Sequence, residues 1–544
     1  MKRFTNAKAN IVTEAIDGFL ATTANDKLAR LDGYPHTKVI VRTDWDKARV
    51  ALVSGGGSGH EPAHVGFVGE GMLTAAVCGE IFASPTVDAV LSAILAVTGE
   101  AGCLLIVKNY TGDRLNFGLA AERAKAMGLK VEMVIVGDDI AIPGALQPRG
   151  VAGTLFVHKV AGHAAAQGQS LAQVTKAAQT TADESFSIGL SLDTCTVPGS
   201  IKEDYLKEGE VELGLGIHGE PGVSRIAFAS ANRLMGMASS RLEKAIGASR
   251  SRYALLINNL GAVPPLEMTI LAHAFGKTKL SDLVDVVIGP GHLMTSLDMN
   301  GFSLSLVPLT RTRRKALLSE VGVPSWPGVR VNGKVRTIKL PKTGGRKHKA
   351  SSDPAARAVI QAVCKSLASA EDDLNRLDAR TGDGDTGTTF GSAARVILRN
   401  ANRLPCADGA KLAEALSDTL AQHMGGASGV LMAILFAAAG KAYAQRPDWA
   451  SAMMEGASQV MQYGGAQRGD RTMLDALLPG LEALLNGKSI EGAAKAARKG
   501  AKATARIKKA GAGRSTYVGG DRLVGVVDPG AEAVARAFEA VGSE

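Results

Sequence analysis

The chain has 544 residues, 46% of them hydrophobic and only 4% aromatic, with 64 glycines and a formal net charge of +10. That length implies two or three domains with ample core, and the hydrophobic share argues against a disordered chain. Cys78, Cys103, Cys195, Cys364 and Cys406 stand far apart without a Cys-x-x-Cys pair, which argues against a disulfide framework or zinc site and for a reducing cytoplasm. No apolar signal core opens the sequence, and the longest apolar run, 430–440, is too short to cross a bilayer, so no membrane partner is expected.

In chain order, residues 49–53 read as a strand entering a glycine-rich turn, Ser54-Gly-Gly-Gly-Ser-Gly-His-Glu-Pro62. Strands at 102–107 and 130–136 end at Lys108 and Asn109 and at Asp138 and Asp139, and helical spacing fills 87–98 and 116–127. A mostly parallel sheet is expected, with ligands beyond the carboxyl ends of its strands. The glycine-rich turn meets neither nucleotide motif, since a dinucleotide fingerprint needs glycine at His60 and a P-loop needs Gly-Lys-Ser/Thr. It permits close backbone approach to a small polar ligand, with His60 and Glu61 at its end and Lys108 and Asp113 as further polar candidates. A second α/β segment, about 184–327, carries Gly214-Leu-Gly-Ile-His-Gly-Glu-Pro-Gly222, in which turn-forming residues leave the His218 imidazole approachable. Asn258 and Asn259 read as turn-closing, Gly291-His-Leu-Met-Thr-Ser-Leu-Asp298 as another loop end and 303–307 as a strand.

Residues 334–349 hold Lys334, Arg336, Lys339, Lys342, Arg346, Lys347 and Lys349 without an acid, beside Pro341, Gly344 and Gly345, and read as a basic linker. Beyond it the periodicity is helical, at 355–377, 389–401, 411–423, 428–444, 449–462, 474–485 and 490–510. Between the first two helices lies Asp378-Ala-Arg-Thr-Gly-Asp-Gly-Asp-Thr-Gly387, with Asp378 closing one helix and Asp383 and Asp385 opening the next. Carboxylates on a glycine-broken turn suit Mg²⁺ and its phosphate ligands. An EF-hand is a poor alternative, because Ala394 stands where its bidentate Glu belongs. The basic stretch 495–514 suits phosphates, and the scarcity of aromatic residues argues against nucleic acid.

The motifs at 54–62, 108–113, 216–222, 293–298 and 382–385 resemble, in order and spacing, those of the single-chain, ATP-dependent dihydroxyacetone kinases, over nearly the whole chain. The resemblance implies a two-lobed α/β ketone-binding domain (1–183 and 184–330), a linker (331–352) and an antiparallel α-helical barrel binding ATP and Mg²⁺ (353–544). It implies that His218 adds to the ketone as a covalent hemiaminal, that His60 is the general base with Asp113 as its partner, and that Gly57, Ser58, Gly59 and Lys108 hold the substrate hydroxyls. Asp378, Asp383 and Asp385 would bind two Mg²⁺ ions. Thr386, Gly387, Thr388 and Thr389, the second glycine-rich loop with Ala427 and Ser428, then Gly469, Thr472, Met473, Arg514, Asp528, Pro529 and Gly530 would surround the nucleotide. The expected substrate is dihydroxyacetone. Erythrulose or apulose stay open, because the stretches 4–19 and 197–208 follow the dihydroxyacetone pattern only loosely. The fused domains suggest direct exchange of ATP and a homodimer in which the linker lets one chain's nucleotide domain reach its partner. The competing class, a non-catalytic ketose-binding regulator, would be expected to lack the reactive histidine or the Asp cluster. Some eukaryotic relatives also convert FAD to riboflavin cyclic phosphate, which the sequence neither requires nor excludes.

Overall fold

Runs of β-branched residues and leucine build two sheets in the first half of the chain. A computed structural model describes residues 3–200, 206–249, 251–333, 335–341 and 348–543. Positions 201–205 of the loosely matching stretch 197–208, and linker positions 334 and 342–347, lie outside the described residues. Two compact units divide between Arg336 and Thr337.

In the first unit, strands β1 (Leu28–Arg30), β2 (Val39–Arg42), β3 (Ala51–Ser58), β4 (Ala75–Ile81), β5 (Cys103–Lys108) and β6 (Val131–Val136) form a sheet of order β1-β2-β4-β3-β5-β6. The four strands β4, β3, β5 and β6 run parallel, as expected, and β2 and β1 add an antiparallel edge. Alternation along β3 sends Ala51 and Val53 toward helices α2 (Val87–Val97) and α3 (Thr111–Ala126), and Leu52 toward α4 (Thr154–Ala166) and α5 (Leu171–Asp183). Helix α1 (Ile11–Thr22) precedes this sheet and buries Val12 and Ile16.

The second sheet contains β7 (Phe186–Ser191), β8 (Glu210–Leu213), β9 (Ser224–Ala227), β10 (Tyr253–Asn259), β11 (Val284–His292), β12 (Gly301–Pro308) and β13 (Val329–Val331), in the order β13-β11-β10-β12-β7-β8-β9. Of its neighbouring pairs only β10 and β11 run parallel. One face packs on α6 (Ala231–Ile246) and α7 (Pro265–Phe275). The other contributes Leu256, Val286 and Ile288 to the cluster that holds Leu52 and Ile106 of the first sheet and Leu317 of α8 (Arg311–Leu318), so the two lobes share a core.

Two elements differ from the sequence reading. Strand β3 does not stop at Val53 but continues through Ser58, so the first half of the expected turn is strand. The glycines make this possible: a Cβ on Gly55 would stand 2.2 Å from the Val77 carbonyl oxygen, and one on Gly57 2.7 Å from the Ala83 nitrogen. Helix α3 starts at Thr111, ahead of the expected 116, which puts Asp113 in its first turn.

The second unit is helical: α9 (Pro354–Ser369), α10 (Glu371–Asp378), α11 (Thr386–Asn400), α12 (Gly409–His423), α13 (Gly426–Gln445), α14 (Trp449–Gly464), α15 (Leu474–Leu485), α16 (Ile490–Thr504), the short α17 (Gly520–Leu523) and α18 (Pro529–Val541). The single helix expected over 355–377 is two, broken at the buried Ala370. The break brings the Glu371 carbonyl against α11, where a Cβ on Gly387 would lie only 1.9 Å from it. Likewise α16 stops at Thr504 rather than 510. Helices α9, α11 to α16 and α18 each pack on the next, and α18 returns to α9, closing a ring. It encloses an apolar cavity of about 660 Å³ lined by residues such as Ile360, Phe390, Leu416, Leu435, Leu477 and Phe538. Helix α13 is long and apolar enough to cross a membrane by those measures alone, and here it is a wall of the ring between α12 and α14.

Candidate active site

In the first unit, the end of β3 and the loops 214–222 and 293–298 bring two imidazoles together. The ring centroids of His60 and His218 are 4.9 Å apart, with Phe82 5.1 Å from each and Tyr110 4.5 Å from His218. The loop 293–298 fastens this arrangement. Thr295 N–H donates to the His60 carbonyl, Leu297 N–H to the Gly59 carbonyl and the Ser296 hydroxyl to the Ile217 carbonyl. Asn258 anchors that loop in turn, donating to the Met294 carbonyl and accepting from the N–H groups of Leu293 and Met294, which makes concrete its turn-closing role. Phe82 (φ 57°) and Leu297 (φ 53°) are both held in the left-handed region, and a Cβ on Gly59 would meet both side chains. Bulky residues in that conformation mark a strained, over-determined site.

His60 is fully buried, and its Nδ1 lies 2.8 Å from the Thr295 carbonyl oxygen. A carbonyl only accepts, so Nδ1 carries the proton and Nε2, which has no partner among the described residues, carries the lone pair. Burial, reinforced by His218 and Lys108, holds its pKa well below the ordinary value and keeps the ring neutral. His218 is partly exposed. Its Nδ1 lies 3.0 Å from Glu220 Oε1, and its N–H donates to Glu220 Oε2 at 2.9 Å.

Lys108 is buried at the end of β5. Its Nζ donates to His64 Nε2 at 2.9 Å and the Gly55 carbonyl at 3.3 Å, and lies 3.9 Å from Asp113 Oδ2. Burial lowers its pKa and Asp113 partly restores it. The Ser84 hydroxyl donates to the other Asp113 oxygen. Gly56 leaves the room this group needs, because a Cβ there would stand 2.5 Å from Lys108 Nζ. Ser58 donates to the Gly79 carbonyl and Gly57 packs on the backbone of Phe82 and Ala83. Gly59 N–H is engaged by the Glu61 carboxylate.

In the second unit, each of Asp378, Asp383 and Asp385 offers an oxygen within 4.8 Å of the others. Oxygen donors at this spacing fit a hard cation such as Mg²⁺. Asp378 is the buried member, and its Oδ2 accepts the N–H groups of Gly384 (3.1 Å), Asp385 (3.0 Å) and Thr386 (3.1 Å), so it also shapes the loop. Asp385 is the N-cap residue of α11, and Arg514 pairs with Asp383. Of the α11 amides, Thr386 N–H thus goes to Asp378 and Thr388 N–H to Asn375, while Thr389 N–H bonds back to Asp385. Gly387 packs against Glu371.

An up-and-down ring places alternate connections on the same end. Ala427 and Ser428 sit in the first turn of α13, and Gly429 closes that turn, where a Cβ would lie 1.9 Å from the Met424 carbonyl. In the 465–473 connection, Asp475 accepts from Gly469 N–H (2.6 Å) and Thr472 N–H (2.8 Å), while Met473 precedes α15. Arg471, buried and at φ 63°, donates to the Ser515 hydroxyl and the Val526 carbonyl, and Ser515 donates to the Thr381 carbonyl. Asp528 caps α18 ahead of Pro529 and Gly530. Burial raises its pKa to about 6, against the pull of Ala531 N–H and Arg471.

A Dak1 domain model matches residues 19–325 and a DAK2 domain model residues 380–543. The chain is 46% identical over 543 residues to the dihydroxyacetone kinase of Citrobacter freundii, covering 99% of this chain and 98% of that one. The chain belongs to the dihydroxyacetone kinase family. It is 39% identical over 578 residues to the human triokinase/FMN cyclase, with 99% and 98% covered. Its fold matches the crystal structure of the C. freundii dihydroxyacetone kinase in complex with AMP-PNP and Mg²⁺ at a TM-score of 0.73 and 44% identity, covering all of both chains.

Sequence reasoning missed several residues that shape this dihydroxyacetone kinase-like site. Glu220, Tyr110 and Thr295 lay inside motifs already singled out, and Glu220 could have been found as a carboxylate two residues from a nucleophile candidate. Phe82, Ser84 and His64 carried no pattern, since only the fold brings them to Lys108 and His60. In the second unit Asp475 and Arg471 were missed for the same reason.

Proposed function

We infer that the protein is an ATP-dependent ketose kinase that phosphorylates a terminal hydroxyl of dihydroxyacetone. The reading is supported above all by the full-length match to a kinase crystallised with AMP-PNP and Mg²⁺, on a chain that keeps a paired-histidine site and a carboxylate focus. His218 captures the ketone: its Nε2 lone pair bonds to the carbonyl carbon and the carbonyl oxygen gains a proton, giving a hemiaminal. Polyols such as glycerol have no carbonyl to capture and are rejected. His60, neutral and with Nε2 unpartnered, accepts the proton of the attacking hydroxyl, which Asp113, set by Ser84 and Lys108, orients. Lys108 and the backbone of Gly57 to Gly59, with Ser58, shape the pocket for the remaining hydroxyls.

In the helical unit, Asp378, Asp383 and Asp385 hold Mg²⁺, which when bound neutralises phosphate charge in a loose transition state. Arg514 gives its guanidinium to Asp383 or to phosphate oxygens. The hydroxyls of Thr386, Thr388 and Thr389, with Gly387 between them, and the α13 start at Ala427 and Ser428 would bind the phosphates. Gly469, Thr472, Met473, Asp528, Pro529 and Gly530 enclose the rest of the nucleotide. The same reading takes the enzyme as cytoplasmic and as a homodimer, and light scattering tests the dimer. A regulator is disfavoured because both chemical centres are present.

The deciding experiment is ATP-dependent phosphorylation of dihydroxyacetone with and without Mg²⁺, beside erythrulose, apulose and glycerol. Turnover that needs Mg²⁺ and a ketone, and is abolished in His218→Ala, is expected. No turnover of any ketose would leave the regulator standing.

A further inference from the structure

We propose that Glu220 is a positioning residue that makes His218, rather than His60, the nucleophile toward the ketone. This rests on the ketone-capture reading above. Both imidazoles are built to one plan, with Nδ1 fastened to an acceptor and Nε2 turned away from it, and they differ in what the acceptor is. His60 has a neutral backbone carbonyl at 2.8 Å, and His218 has a carboxylate at 3.0 Å.

That difference divides the labour. Glu220 is ionised: burial would raise its pKa, but hydrogen bonds and charge from His218 outweigh burial and bring it down to about 2. An ionised carboxylate only accepts, so it fixes the Nδ1–H tautomer and leaves Nε2 as the reactive lone pair. When Nε2 bonds to the carbonyl carbon, the π pair of the C=O moves to oxygen and the ring becomes positively charged. The anionic partner stabilises that charge as it develops. The oxygen takes a proton from solvent while Nδ1 keeps its own on Glu220, so the adduct is an alcohol on an imidazolium whose charge the carboxylate balances. A carbonyl cannot balance a full positive charge as well, which keeps His60 a weak, neutral base.

The local backbone is arranged around this carboxylate. Glu220 Oε2 also accepts His218 N–H, so one side chain clamps both the ring and the main chain of the nucleophile. Gly216 provides the space, since a Cβ there would lie 2.0 Å from Glu220 Oε2, and Gly219, at φ 82°, makes the turn that brings residue 220 back over residue 218. The titratable groups around the clamp are the neutral His60, Tyr110 and, through the field felt by Tyr110, Arg149, Asp139 and Asp138. Arg149 is itself held by Asp139 at 2.7 Å and the Gly214 carbonyl at 2.8 Å.

The test uses full-length enzyme labelled with ¹⁵N-histidine and titrated with [2-¹³C]dihydroxyacetone, reading the one-bond ¹³C–¹⁵N coupling of the adduct and the ring tautomer. Glu220→Gln keeps an acceptor for Nδ1–H and loses the charge; Glu220→Ala loses both. Glu220→Gln is expected to keep the tautomer, weaken adduct formation roughly ten- to a hundredfold and raise KM for the ketone more than it lowers kcat. Glu220→Ala is expected to lose the tautomer as well, while Glu220→Asp restores part of the adduct. An adduct of unchanged strength in both Glu220→Gln and Glu220→Ala overturns the proposal. Absence of an adduct in the unmodified enzyme overturns instead the capture reading beneath it.

Discussion

Asp378 and Asp383 sit in one carboxylate focus, yet the structure gives them different dependants, and truncating each to alanine should separate metal binding from loop architecture. Asp378→Ala removes an oxygen that accepts three backbone N–H groups, from Gly384, Asp385 and Thr386. At about 1 kcal/mol net for each such bond, with the amides left partly buried, the loss is about 3–4 kcal/mol. For the unit spanning 337–544, where 1 kcal/mol moves a melting point by about 2–4 °C, this lowers its transition by roughly 10 °C. Asp383→Ala loses only the pair with Arg514, whose side chain is 68% exposed, and such surface pairs contribute about 0–1 kcal/mol. Its melting point should therefore barely move, while Mg²⁺-dependent binding disappears. Calorimetric melting in chelator, followed on the transition that Mg·AMP-PNP shifts, gives the first quantity, and titration with Mg·AMP-PNP gives the second. Equal drops in melting temperature for the two variants would refute the assignment of Asp378 as the loop's anchor, and undiminished Mg·AMP-PNP affinity in Asp383→Ala would refute its metal role.

His60→Asn should spare the ketone adduct and lower kcat by a factor of about 10² to 10⁴, the usual contribution of a general base; full activity with the adduct intact would remove that role. Acid should destabilise the first unit. His60, His64 and His158 are buried with pKa values below that of the free side chain, driven first by burial, and for His158 the value falls to about 3. Between the two pKa values the unfolded chain binds the extra proton, so stability is full above the unfolded value and is lost as pH falls. For His158 alone this amounts to about 2 kcal/mol between pH 7 and pH 5. Urea unfolding at the two pH values measures it, and a midpoint that is unchanged or higher at pH 5 contradicts the burial of neutral imidazoles.

What could be read from sequence was whatever is local. The 3.6-residue periodicity located α11 to α15 to within three residues, though not α17 or α18, and Asp378, Asp383 and Asp385 share a turn of eight residues, so their convergence needed no tertiary knowledge. The helix over 355–377 was read as continuous because its interruption is not written in a breaker residue; it coincides with the close approach of Glu371 to α11 at Gly387. The glycines after Val53 were taken for a turn, although three residues without side chains can equally extend a strand where neighbouring backbone crowds in. His60 and His218 were identified one by one, but that their rings lie within 5 Å follows only from two sheets sharing a core. The partners of Lys108 show the same limit, since His64 lies 44 residues away and Ser84 reaches Asp113 across 29.

Under the ketone-capture reading, the strand end that leads to His60, Gly55 to Gly57, offers main-chain atoms alone, and a protein engineer has no side chain there to trim. Any variant shaped for a longer or branched sugar must gain its volume from the walls, at Phe82, Tyr110 or Leu297, and two of those three already hold a backbone conformation that glycine would adopt more readily.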